Sequence, residues 1–186
     1  MLVANFSPFP ILQSNRLVLR QITEQDVNEV FTMRSTAETM KYIPLPLAKT
    51  LDDALELIRM ISEKINSNTA INWAITMHNS SELIGIIGHF EINKANYRSE
   101  IGYILHPKFH NQGIISEALD LILKYGFDVL QLHSVEAIID PNNLASEKVL
   151  QKNGFVKEAH LIENGFFEGK FIDTVIYSLL KRNFKL

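Results

Sequence analysis

A mixed α/β fold (α+β in arrangement), one sheet with helices packed on it, follows from three features of this chain. Runs rich in branched apolar residues recur from residue 16 to residue 180, and two of them are separated only by a short polar turn. Between such runs stand segments with apolar residues at helical spacing, opened by Thr or Asn and closed by Asn or Gly. With 186 residues, 46% of them hydrophobic, the chain can bury one substantial core, so residues 1–186 are expected to form a single domain.

Residues 1–15 are apolar in places, but they lack a basic start, and Pro8 and Pro10 interrupt any signal-like run. They read as an arm packed on the domain. Arg16–Ile22 is the first expected strand. Thr23 followed by Asp26 marks a capping box that opens a helix to about Arg34. Pro44 and Pro46 make 42–49 a loop. Thr50 then starts a longer helix, with Leu51, Ala54, Leu55, Ile58 and Ile61 on one face, fading at 66–68.

From Ile71 the period changes to two, which predicts a strand with one drier face. After the polar turn 78–81, the run from Leu83 to Phe90 completes an antiparallel hairpin. Ser99–Leu105 is the next strand, Ile114–Asp128 a helix, and Ser134–Ile139 a strand. Asp140-Pro-Asn-Asn143 is a turn capping a helix to about Asn153, which Gly154 ends. Phe155–Leu161 and Phe171–Leu180 finish as strands joined by a polar loop over 163–170.

Composition narrows the function. A net charge of −3 without a long basic run argues against a dedicated nucleic-acid binder. No uncharged apolar run is long enough to cross a bilayer, so no membrane association is expected. The absence of cysteine removes disulfides, thiolate metal ligands and a cysteine nucleophile, and is compatible with a cytoplasmic home. His106 and His110 are four apart, but Pro107 breaks any helix through both and no further ligand pattern accompanies them, so no metal is expected.

The stretch from Glu100 to Leu119 is the most informative. It reads as a buried strand, a loop, one glycine and a helix start. A helix start leaves its first N–H groups unpartnered and partly positive, so it can hold an anion such as a pyrophosphate. The candidate donors are the amides of Gln112, Gly113, Ile114, Ile115 and Ser116, and Gly113 lets a ligand approach the backbone closely.

Four patches in one order carry a family resemblance: Arg16-Leu-Val-Leu-Arg20 with Glu24-Gln-Asp26; Glu100-Ile-Gly-Tyr103; Gln112-Gly-Ile-Ile-Ser-Glu-Ala118; and Asn143-Leu-Ala-Ser146 with Val149-Leu-Gln-Lys-Asn-Gly-Phe155. With Asp173 before the last strand, the chain resembles the GNAT N-acetyltransferases, and among them the ribosomal-protein-alanine (RimJ/RimL-type) branch. His110 stands where the family has Gln or Arg, and Ile115 where it has Gly or Ala. A loop that binds through backbone amides accommodates both, with the Ile115 side chain turned into the core.

The resemblance implies an acyl-CoA N-acyltransferase fold: a central mixed, mostly antiparallel, twisted sheet with helices on both faces. It implies acetyl-CoA as co-substrate, held by the loop from His110 and Asn111 to Ser116, by the amides of Ile104, Leu105 and His106, and by Asn143 and Ser146, the latter near the sulfur. It also implies direct attack by an amine in a ternary complex, to which the lack of cysteine is congenial. Glu100 is the candidate general base; the bland alternative is a surface glutamate paired with Arg98 or Lys94. Ser146 is the candidate acid, with Tyr103 its rival; Asn143 and Ser146 could equally be a helix cap and a first-turn serine. Glu91, Tyr97, Glu163 and Phe167 fall where an acceptor could bind. The expected acceptor is a protein or peptide N-terminal amine. A polyamine or aminoglycoside is the alternative, as is a non-catalytic CoA-binding module, and a homodimer is an assembly the family allows.

Overall fold

The computed structural model describes residues 2–185; Met1, the first residue of the expected arm, and Leu186 lie outside them. Its strands are β1 (Leu12–Gln13), β2 (Leu17–Gln21), β3 (Ile71–Met77), β4 (Gly85–Asn93), β5 (Arg98–Leu105), β6 (Ser134–Ile139), β7 (Val156–Phe167) and β8 (Lys170–Leu180). They form one sheet in the order β1-β2-β3-β4-β5-β6-β8-β7. Every pairing is antiparallel except β5–β6. The helices are α1 (Val27–Ser35), α2 (Ala37–Met40), α3 (Leu51–Asn66), α4 (Ile114–Lys124) and α5 (Leu144–Lys152).

Both faces of the sheet are covered around β3. Trp73 meets Tyr125, just beyond α4, edge-to-face at 5.4 Å, so α4 lies on the face of Trp73. Asn72, Ala74 and Thr76 point the other way and are buried as well. The strand expected to have one drier face is therefore dry on both, with α3 packed against β3 and α1. The arm packs as expected: Leu2, Ala4 and Phe6 are buried, and the Trp73 indole N–H donates to Pro10 O at 2.7 Å.

Two boundaries differ from expectation. The helix after the loop does not stay α-helical to Asp128 but widens into a π turn over Tyr125–Val129. The buried His89 ring reaches Ile122 O at 3.0 Å, occupying the carbonyl to which the Gly126 amide would ordinarily bond. The second difference is at 163–170, where no loop intervenes. β7 runs on to Phe167 and turns back through Glu168 and Gly169, both at positive φ (48° and 79°). This strand lies at the sheet's edge and is exposed on both sides, so it shows no period, and two register shifts absorb its polar residues. Asp173 lies within β8, inside the strand expected from Phe171.

One feature positions the site. β5 and β6 pair only over Arg98↔Ser134, Ser99↔Val135 and Glu100↔Glu136, and then diverge, although β5 continues to Leu105 and β6 to Ile139. A wedge-shaped gap opens in mid-sheet beyond Glu100.

Candidate active site

At one end of the gap stands the start of α4. Gly113 is its N-cap, with φ +75°, the left-handed conformation that glycine adopts without strain. A Cβ there would have only Arg16 Nη2 within 4 Å, at 3.7 Å, so the space in front of the backbone is open. The first helical bond runs from Glu117 N–H to Gly113 O, 3.1 Å. Among the described residues, no protein acceptor is found for the amides of Gln112, Gly113, Ile114, Ile115 and Ser116. Ile114 is the side chain sunk in the core, whereas Ile115, expected there, is only partly buried. Asn111 precedes this turn at φ +60°. Arg16 braces the loop from 96 residues away: its Nη1 donates to Gln112 O at 3.2 Å and its Nε to Glu117 Oε2 at 2.7 Å. Ser116 Oγ accepts from Asn153 Nδ2 at 3.1 Å, tying α4 to α5.

Along the gap, the ladder decides which amides are free. His106 N–H donates to Ile84 O at 2.9 Å, so it is not available to a ligand. Alternation along an antiparallel strand turns Ile104 toward its partner Ile86 in the same way. Both expectations are thus corrected: the groups facing the gap are those of Tyr103 and Leu105. Leu105 O confirms the direction, since it accepts from His110 Nε2 at 3.0 Å, away from β4. His106 Nδ1 instead accepts from Lys108 N–H at 3.2 Å.

Parity along β5 sends Glu100 and Tyr103 to opposite faces of the sheet. Tyr103 points to the α5 side, where its hydroxyl is buried beside Ser146 without a well-formed hydrogen bond. Burial pushes that hydroxyl up to about 12, and the neighbouring Ser146 offsets this only in part. Ser146 sits in the first turn of α5, and its amide donates to Asn143 Oδ1 at 3.1 Å. Asn143 is therefore a true helix cap, which leaves its Nδ2 free to donate elsewhere.

On the other face Glu100 borders a cavity of about 480 Å³. Its apolar wall includes Ile43, Leu45, Leu47, Ile138, Phe167 and Ile172, and Asp140, Glu168 and Asp173 add acidic groups. Glu100 takes part in no ion pair among the described residues; Arg98 pairs instead with Glu136, at 2.8 Å. Burial, then the charges of Glu136 and Glu91, raise the Glu100 carboxyl above its ordinary value. A bulge between His89 and Glu91 brings Phe90 over Gly102, where a Cβ would stand 3.0 Å from Phe90 Cε2. Of the four acceptor-side residues expected in loops, Phe167 lines the cavity and Glu91 neighbours Glu100. Tyr97 and Glu163 are not among its walls, and Glu163 lies within β7.

Residues 16–156 match the family described as acetyltransferase (GNAT) domain. The chain belongs to the GNAT acetyltransferases. An N-acetyltransferase of Bacillus subtilis described as uncharacterized, YoaA, is 35% identical over 93% of this chain and 98% of its own. The spermidine N(1)-acetyltransferase of Escherichia coli K12 is 24% identical over 84% of this chain and 82% of its own. Among solved structures, a GNAT acetyltransferase from Bacillus anthracis superposes with TM-score 0.82 at 26% identity, covering 93% of this chain and 99% of that one. RimL, a ribosomal L7/L12 α-N-protein acetyltransferase solved with coenzyme A, superposes with TM-score 0.84 at 20% identity, over 92% and 98% of the two chains.

Acetyl-CoA is accordingly the co-substrate of this GNAT enzyme, and the residues present fit it. Five unpartnered amides around an open Gly113 suit a pyrophosphate, and the gap-facing backbone of Tyr103 and Leu105 suits an amide-bearing arm. Sequence reasoning missed Arg16 as a brace, since nothing local ties it to residue 112. It also missed Glu136 and the Ile43–Leu47 wall, whose roles exist only once distant segments meet.

Proposed function

We propose that this enzyme acetylates the α-amine of a protein or peptide. The observation that carries the reading is the gap beyond Glu100↔Glu136, with unpartnered amides at one end and a carboxylate-lined cavity on the far face. Bound acetyl-CoA supplies the thioester carbonyl and a thiolate leaving group. Gln112–Ser116 hold its pyrophosphate, with His110 and Asn111 shaping the loop, and Asn143 Nδ2 holds the arm. The Tyr103 and Leu105 amides aim at the arm and at the carbonyl oxygen, where a fixed donor stabilises developing negative charge. Glu100 takes the proton from the incoming ammonium, and burial makes it a stronger base than an exposed glutamate. Ser146 Oγ, with the protonated Tyr103 hydroxyl beside it, returns a proton from the opposite face.

The wall formed by Ile43, Leu45 and Phe167 supports an acceptor with apolar side chains such as an extended peptide. A polyamine is the second reading, favoured by the carboxylates of Asp140, Glu168 and Asp173. The test is thiol release from acetyl-CoA across N-terminal peptides, polyamines and aminoglycosides. A peptide is expected to give the highest kcat/KM; preference for a polyamine would replace the first reading with the second. Glu100→Gln is expected to keep CoA affinity and lose about a hundredfold or more in kcat. Unchanged turnover would remove Glu100 from the mechanism.

A further inference from the structure

Glu100 does not stand alone on its face of the sheet. Glu136 of β6 is its register partner on one side and Glu91 of β4 on the other. Register partners in a sheet lie about 5 Å apart, so three carboxylates share one row. Such a row would ordinarily disperse its charge by protonation or by turning side chains away. Here Glu136 is held from turning away. Arg98 Nη2 donates to Glu136 Oε2 at 2.8 Å and to Ser178 Oγ at 2.7 Å, while Nη1 donates to Ser134 Oγ at 3.1 Å. The bond to Glu136 is the largest cause raising the Arg98 guanidinium above its already high value, so the cation is permanent.

We propose that Glu136 is a positioning residue for acetyl transfer: fixed by Arg98 in register with Glu100, its negative charge strengthens Glu100 as proton acceptor for the incoming amine. The inference rests on Glu100 being the base, as read above. Arg98 offsets the effect only in part, because Glu136 stands directly opposite Glu100 whereas Arg98 stands two residues back along β5. Ser134 is the register partner of Arg98, two residues back along the strands from the Glu100↔Glu136 pair. Glu100 is accordingly raised by burial first, then by Glu136, then by Glu91.

The remaining charges around Glu100 are otherwise engaged or more distant. Asp173 of β8 accepts from His160 and from the Glu163 amide, both at 2.8 Å, and Asp140 after β6 accepts from the Asn142 amide at 2.7 Å. Lys41 lies over the Tyr42 ring at 4.9 Å, Glu168 sits at the β7–β8 turn, and Glu158 lies 3.7 Å from Arg98. Glu91 is exposed and has no ion pair among the described residues, so water screens it more than Glu136.

The experiment is the pH profile of kcat/KM for wild type, Glu136→Gln, Glu158→Gln and Glu100→Gln. In Glu136→Gln the new amide oxygen can still accept from Arg98, so that variant keeps the hydrogen bond and removes only the charge. The acidic limb is expected to move down by about half to one pH unit in Glu136→Gln, the size of one partly screened charge at this spacing. Glu158→Gln should leave the limb in place. A limb unmoved in Glu136→Gln, but abolished in Glu100→Gln, overturns the inference and spares the assignment of Glu100. A limb that persists in Glu100→Gln overturns both. Should Glu136→Gln fail to fold, carbon-13 titration of the Glu100 carboxyl in the wild type decides. A raised midpoint that falls as salt is added supports the proposal, and one at the ordinary glutamate value, or raised but indifferent to salt, overturns it.

Discussion

Gly113 shows how much one residue can settle. At φ +75°, with nothing but Arg16 Nη2 near the place of a Cβ, it serves both the backbone turn and the open approach to five amides. Gly113→Val puts a β-branched residue in the left-handed region, costing about 1–2 kcal/mol of stability, and a side chain in front of those amides. Isothermal titration is expected to show CoA affinity reduced at least about tenfold, well beyond what the stability loss explains. Equal affinity would refute the loop contact. This residue was legible in the sequence because a lone glycine at a strand–loop–helix junction has few other reasons to be there. His106 was not. Its amide is consumed by Ile84 O, and which amides of a strand face a partner depends on ladder phase, which no residue type encodes.

Among the elements, those with a buried face and a capped end were readable, and those without were not. α3 has Thr50 as cap, accepting from Asp53 N–H, and buries Ala54, Ile58, Ile61 and Ile65, so its period survives in the sequence. The β7–β8 hairpin is mostly exposed at its far end, where polar and apolar residues serve equally well. The π turn after α4 depends on a side chain from another strand, His89, and so lies beyond any local pattern. It does leave one trace, Gly126. A Cβ at that position would stand 2.9 Å from His89 Cε1 and 3.0 Å from Leu132 Cδ1. Gly126→Ala, ordinarily favourable within a helix, is therefore expected to destabilise by about 1–3 kcal/mol through overpacking. Urea unfolding measures it, and a gain in stability would mean that the His89 contact yields easily.

At the scale of the whole molecule, His89 links β4, β5 and α4, with Nδ1 2.8 Å from Ser99 Oγ and Nε2 3.0 Å from Ile122 O. The carbonyl can only accept, so Nε2 carries the proton and Nδ1 accepts from the serine hydroxyl in the neutral ring. Complete burial lowers its pKa from 6.5 to about 4, against the bond to Ile122, which raises it. The unfolded chain therefore binds a proton that the folded one refuses between those values. Stability from this group is full above about pH 6.5 and is lost as pH falls toward about 4, by about 3 kcal/mol in all. Asp26 acts in a lower window: burial raises its carboxyl, but bonds from Arg20 and Thr23 outweigh this and hold it below 3.8, so its contribution drains only under more acid conditions. His89→Gln isolates the upper window, because an amide can still donate to Ile122 O but cannot titrate there. Urea midpoints of the two proteins should converge as pH drops from 6.5 to 4, with the wild type losing more. Parallel curves across that range would mean that His89 charges in place, with the core opening to let it.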